Sequence, residues 1–302
     1  MSNHDRAQTV FVSGGSIFIT IAGNGPPVLL LHGFPETHLM WRDVAPLLAS
    51  EFTVICADLR GYGASGCPPS ARDHLAYSKR AMAAEMVEVM AKLGFSEFMV
   101  AGHDRGARVG YRMALDHATA IRKVAVLDIV PTVTVWDRAD DRFALAFWPW
   151  LLFAQAEPLP EKLIAGAPEA VVDEALTGWG SSATVFPPEI REAYIDTLRS
   201  PEHVHAICEE YRAAAGADRQ HDMDDQISGH RIVCPLMALW SGTGAVATWY
   251  AEEGGPLALW RQLADEVVGH AMPGGHFFPE EHPAETAEEL AEFFSDAAPH
   301  SG

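Results

Sequence analysis

The sequence is short of cysteine and of positive charge, and each shortage removes a class of protein. Its four cysteines, Cys56, Cys67, Cys208 and Cys234, are scattered along 302 residues with no CxxC pair and no zinc-type spacing. Neither a disulfide framework nor a metal site is expected, and reduced thiols in the cytoplasm are. Lysine and arginine number 21 against 41 aspartates and glutamates, a formal net charge of -20 with no basic stretch to offset it. Nucleic acid and membrane are therefore disfavoured as partners, and any small anionic ligand needs a local positive pocket. Long hydrophobic runs are missing as well. The longest, Phe143 to Ala154, is broken by Pro149 and too short to span a bilayer. The opening residues, MSNHDRAQTV, carry no apolar core of the signal-peptide kind. No internal repeat or low-complexity linker interrupts the chain.

What is present is a large apolar fraction, 48%, in a chain long enough for one core plus an inserted subdomain. Residues 10 to 22 alternate as two short strands around Gly14 and Gly15, and Pro27 to Leu31 is a continuous apolar strand. Strand and helix then take turns: a strand over Thr53 to Ala57, a helix over Ser78 to Leu93, a strand over Glu97 to Ala101, a helix over Arg105 to His117 and a strand over Lys123 to Leu127. The rhythm returns with a strand at Pro235 to Trp240, a helix over 256–265, a strand at Glu266 to Met272 and a helix from Pro283 to Phe294. Buried apolar strands alternating with amphipathic helices predict an α/β fold with a mostly parallel, doubly wound sheet. Between them, residues 129–232 are rich in Trp, Pro and helical pattern and read as a helical cap, leaving 1–128 and 233–302 as the core domain.

The segment Phe98 to Ala107, FMVAGHDRGA, sets a strand, a Gly-x-Asp-x-Gly turn and a helix in order. This is the spacing of a nucleophile elbow, where small residues permit a strained turn that lifts one side chain above the sheet. Here that side chain is Asp104, which would otherwise read as a helix N-cap. An aspartate limits the chemistry. A serine attacking saturated carbon leaves an ether that water cannot cleave, whereas a carboxylate leaves an ester whose carbonyl can be hydrolysed. The expected substrate is attacked at an sp³ carbon.

Hydrolysis of that ester needs a base, and Gly274-Gly275-His276 follows the last strand, the place of the triad histidine in this chain order. Its orienting acid can follow either of two strands. The loop after Trp240, SGTGAVATWY, lacks a carboxylate, while Asp128 ends Val126-Leu127-Asp128, so Asp128 is expected. The amides of Phe34, in His32-Gly33-Phe34-Pro35, and of Arg105 are the expected oxyanion hole. Arg105 and Arg108 lie three apart on one helix face near its positive end, where arginine is electrostatically disfavoured. Either core or cap acids offset them, or a substrate carboxylate held by both does.

GHDRGAR at 102 to 108, HGFPE at 32 to 36, DLRGYGAS at 58 to 65 and GHFFPEE at 275 to 281 resemble fluoroacetate dehalogenases of the α/β-hydrolase superfamily, as do the cap segments AVLDIVPT and CEEYRAAA. HGFPE and the elbow are shared with epoxide hydrolases; the arginine pair and the cap segments narrow the likeness. The resemblance implies attack by Asp104, a triad with Asp128 and His276, and a haloacid carboxylate held by Arg105 and Arg108. It further implies a halide held by Trp150 and Tyr211, a pocket walled by Trp179, Pro149 and Trp148, no cofactor, and a homodimer. Family members active on fluoroacetate carry a histidine before the halide-binding tryptophan, and this chain has Pro149 there, which offers no donor. Chloro- and bromoacetate are thus expected to react better than fluoroacetate, with Trp148 a substitute donor if its indole turns inward. An epoxide hydrolase using Tyr194 or Tyr211 as proton donors stays open, as does a non-catalytic ligand-binding protein on this fold.

Overall fold

The central strands form on short apolar runs such as residues 28–31, 54–57 and 124–127. A computed structural model describes residues 6–295. Eight strands make one sheet: β1 (Arg6–Val12), β2 (Gly15–Gly23), β3 (Pro27–Leu31), β4 (Thr53–Ala57), β5 (Phe98–His103), β6 (Ile121–Leu127), β7 (Leu236–Ser241) and β8 (Val267–Met272). Their order is β1-β2-β4-β3-β5-β6-β7-β8, with β1 and β2 antiparallel and every pairing from β4 to β8 parallel. Both faces are covered. Helices α1 (Lys79–Lys92) and α2 (Asp104–Asp116) pack on one side. On the other, Trp41, Leu48 and Phe52 meet Leu290 and Phe294 of the C-terminal helix Pro283–Phe294.

The order reverses between β3 and β5. From β3 the chain crosses to β4 on one side and then to β5 on the other, so the C-terminal ends of β3 and β5 lie side by side, with Leu31 paired to Gly102. Such a switch point opens a crevice above the sheet, because the connections leave it in opposite directions. The turns after β3 and β5 therefore meet over that crevice, and they carry Phe34 and Asp104.

Between β6 and β7 the chain forms no strand, only helices, among them α3 (Trp148–Phe153), α4 (Pro188–Arg199), α5 (Pro201–Ala215) and α6 (Ala217–Ser228). Prolines punctuate this segment at first-turn positions, as Pro149 in α3, Pro188 in α4 and Pro201 in α5, where a missing N–H costs nothing. Sequence periodicity missed several short elements elsewhere. The loop after β7 contains a helix, α7 (Ala245–Trp249), and the helix expected over 256–265 stops at Trp260. Phe278–Glu281 forms a turn of helix just after His276. Elements of four or five residues span barely one helical period, so no repeat of apolar positions reveals them.

Glycines matter most at the elbow. A Cβ on Gly106 would sit 2.5 Å from the carbonyl oxygens of both Leu31 and His32, and one on Gly102 would sit 2.4 Å from the Ala107 nitrogen. Strand and helix close on each other here with no room for a methyl group. Gly106→Ala is expected to destabilise the protein by about 3 kcal/mol, because backbone on both sides must shift; a thermal melt with an unchanged midpoint would contradict this packing. Among the described residues, no helix is long and apolar enough to cross a membrane.

Candidate active site

Asp104 begins α2 directly after β5, with φ at +42°. That left-handed backbone is costly for most residues, though aspartate tolerates it better than bulky ones. The turn aims the carboxylate back over the strand ends, where Oδ2 accepts the Phe34 N–H at 3.2 Å. Gly33 is what permits this approach, since a Cβ there would lie 2.6 Å from the Asp104 Cβ. Burial pushes the Asp104 carboxyl up, but His276, Arg105, Arg108 and His103 together hold it below the usual carboxylate range. The Arg105 amide lies in the first turn of α2, where no helical carbonyl reaches it.

His276 and Asp128 are brought to the same place. Asp128 leaves β6 with φ at +54°, its Oδ2 lies 2.6 Å from His276 Nδ1, and its Oδ1 accepts the Ser241 N–H at 2.9 Å. The loop after β7 thus contributes a backbone donor that fixes the acid, in place of an acid of its own. Asp104, Asp128 and His276 border one cavity of about 30 Å³ together with Arg108, Phe143, Phe147, Trp150, Val246, Trp249 and Tyr250. A second cavity of about 280 Å³ adjoins it, sharing His276, Asp128, Phe147 and Trp249, and is lined further by Trp179 and Thr248.

Two supports of His276 escaped the sequence reading. His103 Nε2 lies 2.8 Å from the His276 carbonyl and its Nδ1 lies 3.0 Å from the Glu36 carboxylate. Burial lowers the His103 pKa, but Glu36 and Asp104 outweigh it and raise it to about 9, so the ring is protonated and donates from both nitrogens. The second is Trp179, whose carbonyl accepts the His276 N–H at 3.0 Å and whose ring stands edge-on to the imidazole with centroids 5.3 Å apart. Neighbours at such sequence separations leave no periodic signal, although HGFPE and GHD, quoted as motifs, contain Glu36 and His103.

The two arginines are both buried. Arg108 donates from Nη1 to the Val130 carbonyl at 3.1 Å and to Thr132 Oγ1 at 3.0 Å, and its Nε has no partner. Arg105 donates from Nε to Glu210 Oε1 on α5 at 2.7 Å, so an acid from the helical segment between β6 and β7 offsets it in part, while Nη1 and Nη2 are buried without partners. Arg105 is set back from the wall of the smaller cavity. Its guanidinium carbon lies 4.0 Å from the Tyr211 ring centroid and 5.0 Å from that of Trp150, which Arg108 approaches from 4.6 Å.

The remaining expected pocket residues divide. Trp150 borders the small cavity, and Tyr211 packs edge-on against Phe34, Phe153 and Trp150. Trp179 lines the larger cavity, but its indole N–H is spent on the Ala146 carbonyl at 2.7 Å. Pro149 and Trp148 line neither: Pro149 is buried in the first turn of α3, and the Trp148 ring is turned edge-on to Phe153, at 5.7 Å. The proline fixes that turn, so the indole expected as a substitute donor faces Phe153. Tyr194 donates its hydroxyl to Glu280 at 3.0 Å, which removes it as a donor in the cavity.

A family model described as the alpha/beta hydrolase fold matches residues 26–252. A fluoroacetate dehalogenase from Burkholderia sp is 42% identical over 291 residues, 96% of this chain and 94% of that protein. A soluble epoxide hydrolase from Corynebacterium sp. (strain C12) is 28% identical over 98% of this chain and 99% of its own. Among solved structures, a protein from Nostoc sp PCC 7120 described as an α/β hydrolase superposes with a TM-score of 0.93 at 44% identity, covering 97% of this chain and 99% of that one.

Proposed function

The chain belongs to the α/β-hydrolase family, within it to the haloacetate dehalogenase-like enzymes, and from that premise we propose that it converts a short 2-haloacid and water into the 2-hydroxyacid, a halide and a proton. The observation that carries the reading is the company Asp104 keeps: an ionised carboxylate at the elbow, followed on its own helix by two buried arginines with unpartnered N–H groups. An uncharged substrate would leave those groups unsatisfied, at a cost of about 1–3 kcal/mol each.

In the first step an Asp104 carboxylate oxygen attacks C2 of the substrate, the C–O bond forms as the carbon–halogen bond breaks, and the halide departs with the bonding pair. Arg105 and Arg108 hold the substrate carboxylate, which orients C2 toward the attacking oxygen. Trp150 and Tyr211 offer N–H and O–H groups to the leaving halide. Burial holds the Tyr211 phenol well above its ordinary pKa, so it remains a neutral donor. In the second step His276 takes a proton from water, and the hydroxide adds to the Asp104 carbonyl carbon. The amides of Phe34 and Arg105 hold the oxyanion. Collapse expels the hydroxyacid, which recovers the proton from His276. Asp128, 2.6 Å from His276 Nδ1, keeps the imidazole in register.

Haloacetates are the substrates that suit the cavity. Its small volume beside Asp104, about 30 Å³, favours the smallest haloacids over branched ones. We further read the protein as a cytoplasmic homodimer. Pro149 supports a preference for chloride and bromide over fluoride, because it puts no donor beside Trp150 and fluoride depends most on charge stabilisation as it leaves. Halide release from fluoro-, chloro- and bromoacetate and one uncharged epoxide is the test. Chloroacetate is expected to exceed fluoroacetate by about tenfold or more in kcat/KM, a difference of roughly 1.4 kcal/mol. Equal or faster fluoride release would overturn the preference, and turnover of the epoxide alone would replace the reading. Tyr194, bound to Glu280, weighs against that epoxide reading.

A further inference from the structure

Glu210 is a carboxylate with no exposure at all, on the cap helix α5, and the reaction as written does not use it. Three groups converge on it from the core. Arg105 Nε donates to Oε1 at 2.7 Å, the Lys79 ammonium donates to the same oxygen, and Tyr62 donates its hydroxyl to Oε2 at 2.9 Å. Lys79 is itself buried, and its backbone N–H is held by Asp218 of α6 at 2.7 Å. Burial pushes the Glu210 carboxyl up, yet Arg105 and Lys79 outweigh it and keep the group ionised.

A buried ion pair of this kind is poor value for stability, since desolvating the charges consumes most of what their attraction returns. Its geometry is more informative. A guanidinium has five N–H groups, and Glu210 engages only the one on Nε. The four on Nη1 and Nη2 are left buried and unpartnered, with the Tyr211 ring 4.0 Å from the guanidinium carbon to limit its swing. The ion pair of Arg105 is with Glu210 and not with Asp104, its neighbour in the chain. Arg105 is thus pulled toward the cap and kept off the nucleophile, with its fork open.

We infer that Glu210 is a positioning residue, which holds Arg105 poised for a substrate carboxylate and makes anion binding depend on the cap being seated on the core. The inference rests on the dehalogenase reading and deepens it. Without Glu210 the guanidinium distributes among orientations, including one paired with Asp104, and the apparent affinity falls by the fraction that remains competent. Saturating substrate restores the competent orientation, so the loss falls on KM and spares kcat.

Steady-state chloride release from chloroacetate by the full chain tests this. Glu210→Ala is expected to raise KM by about 10- to 100-fold with kcat within about fivefold. Glu210→Gln, which retains an oxygen for Arg105 Nε but not the charge, is expected to lie between Glu210→Ala and the parent protein, with kcat again preserved. If Glu210→Ala does not fold, Glu210→Gln decides alone: KM raised several-fold at constant kcat supports the assignment. Unchanged KM, or a fall in kcat at constant KM, overturns it, because a structural brace would act that way. A parent protein that releases no chloride would count against the dehalogenase reading itself and is recognised before any variant is made.

Discussion

An Asp104→Asn protein is expected to release no halide above background, whereas His276→Gln is expected to release one equivalent per site and then stop. The two variants part because the residues serve different steps. Asparagine keeps the size of the side chain and the left-handed backbone at φ +42°, but its neutral amide is not a nucleophile for saturated carbon. The loss should be at least about 10⁴-fold, the scale seen when a nucleophile is removed from a preorganised site. His276→Gln leaves Asp104 free to attack, and removes the base that makes water attack the ester. Intact-protein mass spectrometry should find the chain heavier by one carboxymethyl group after chloroacetate, with the label on Asp104. Steady turnover by His276→Gln would mean that another group activates water. In ¹⁸O water the parent protein should place label in the Asp104 carboxylate, and its absence during turnover would remove the covalent route.

The second large effect is expected at Arg108. Arg108→Gln should lower kcat/KM for chloroacetate by about 10²-fold or more, since truncating one member of a buried charge-assisted pair costs some 2–5 kcal/mol. Most of the loss should appear in KM. Arg108→Lys is expected to recover little. Arg108 already spends Nη1 on the Val130 carbonyl and Thr132 Oγ1, while its Nε, on the other edge of the planar group, is free for a ligand. A single ammonium cannot serve both sides, and it is more strongly hydrated than a guanidinium. Full activity in the lysine variant would show that positive charge alone, without the fork, suffices.

The parts of this protein that were legible in its sequence are those with local signatures. The elbow could be read because four apolar residues, Phe98 to Ala101, a Gly-x-Asp-x-Gly turn and an amphipathic helix follow one another without a gap. Asp128 could be read because it ends a strand and the loop after the next strand has no acid. What distance in the chain conceals is the support behind each group. Glu36 touches His103 from 67 positions away, and Glu210 touches Arg105 from 105 positions away; neither pairing leaves a period, a spacing or a compositional trace. The same holds for Trp249 and Tyr250, which read only as part of the loop after Trp240 and turn out to wall the small cavity. Trp148 failed for a different reason: its orientation is set by the rigid turn at Pro149 and by Phe153, and a sequence lists residues without saying which way they face.

Two acids of the site, Asp104 and Asp128, stand on left-handed backbone at strand ends, at φ +42° and +54°. This reverses the ordinary scale of conservative replacement. Glutamate, which keeps the charge, is the disruptive exchange, because it adds a methylene to a side chain packed so closely on Gly33 that a Cβ on that glycine would lie 2.6 Å from the Asp104 Cβ, and because it is less at home in that region of backbone space. Asparagine, which abolishes the charge, is the gentle one. An ancestor or a designer moving through sequence space from this site thus meets a folded, inert neighbour one substitution away, and no equally easy step to a longer acid. The reactive side chain can be silenced without cost to the fold far more readily than it can be retuned.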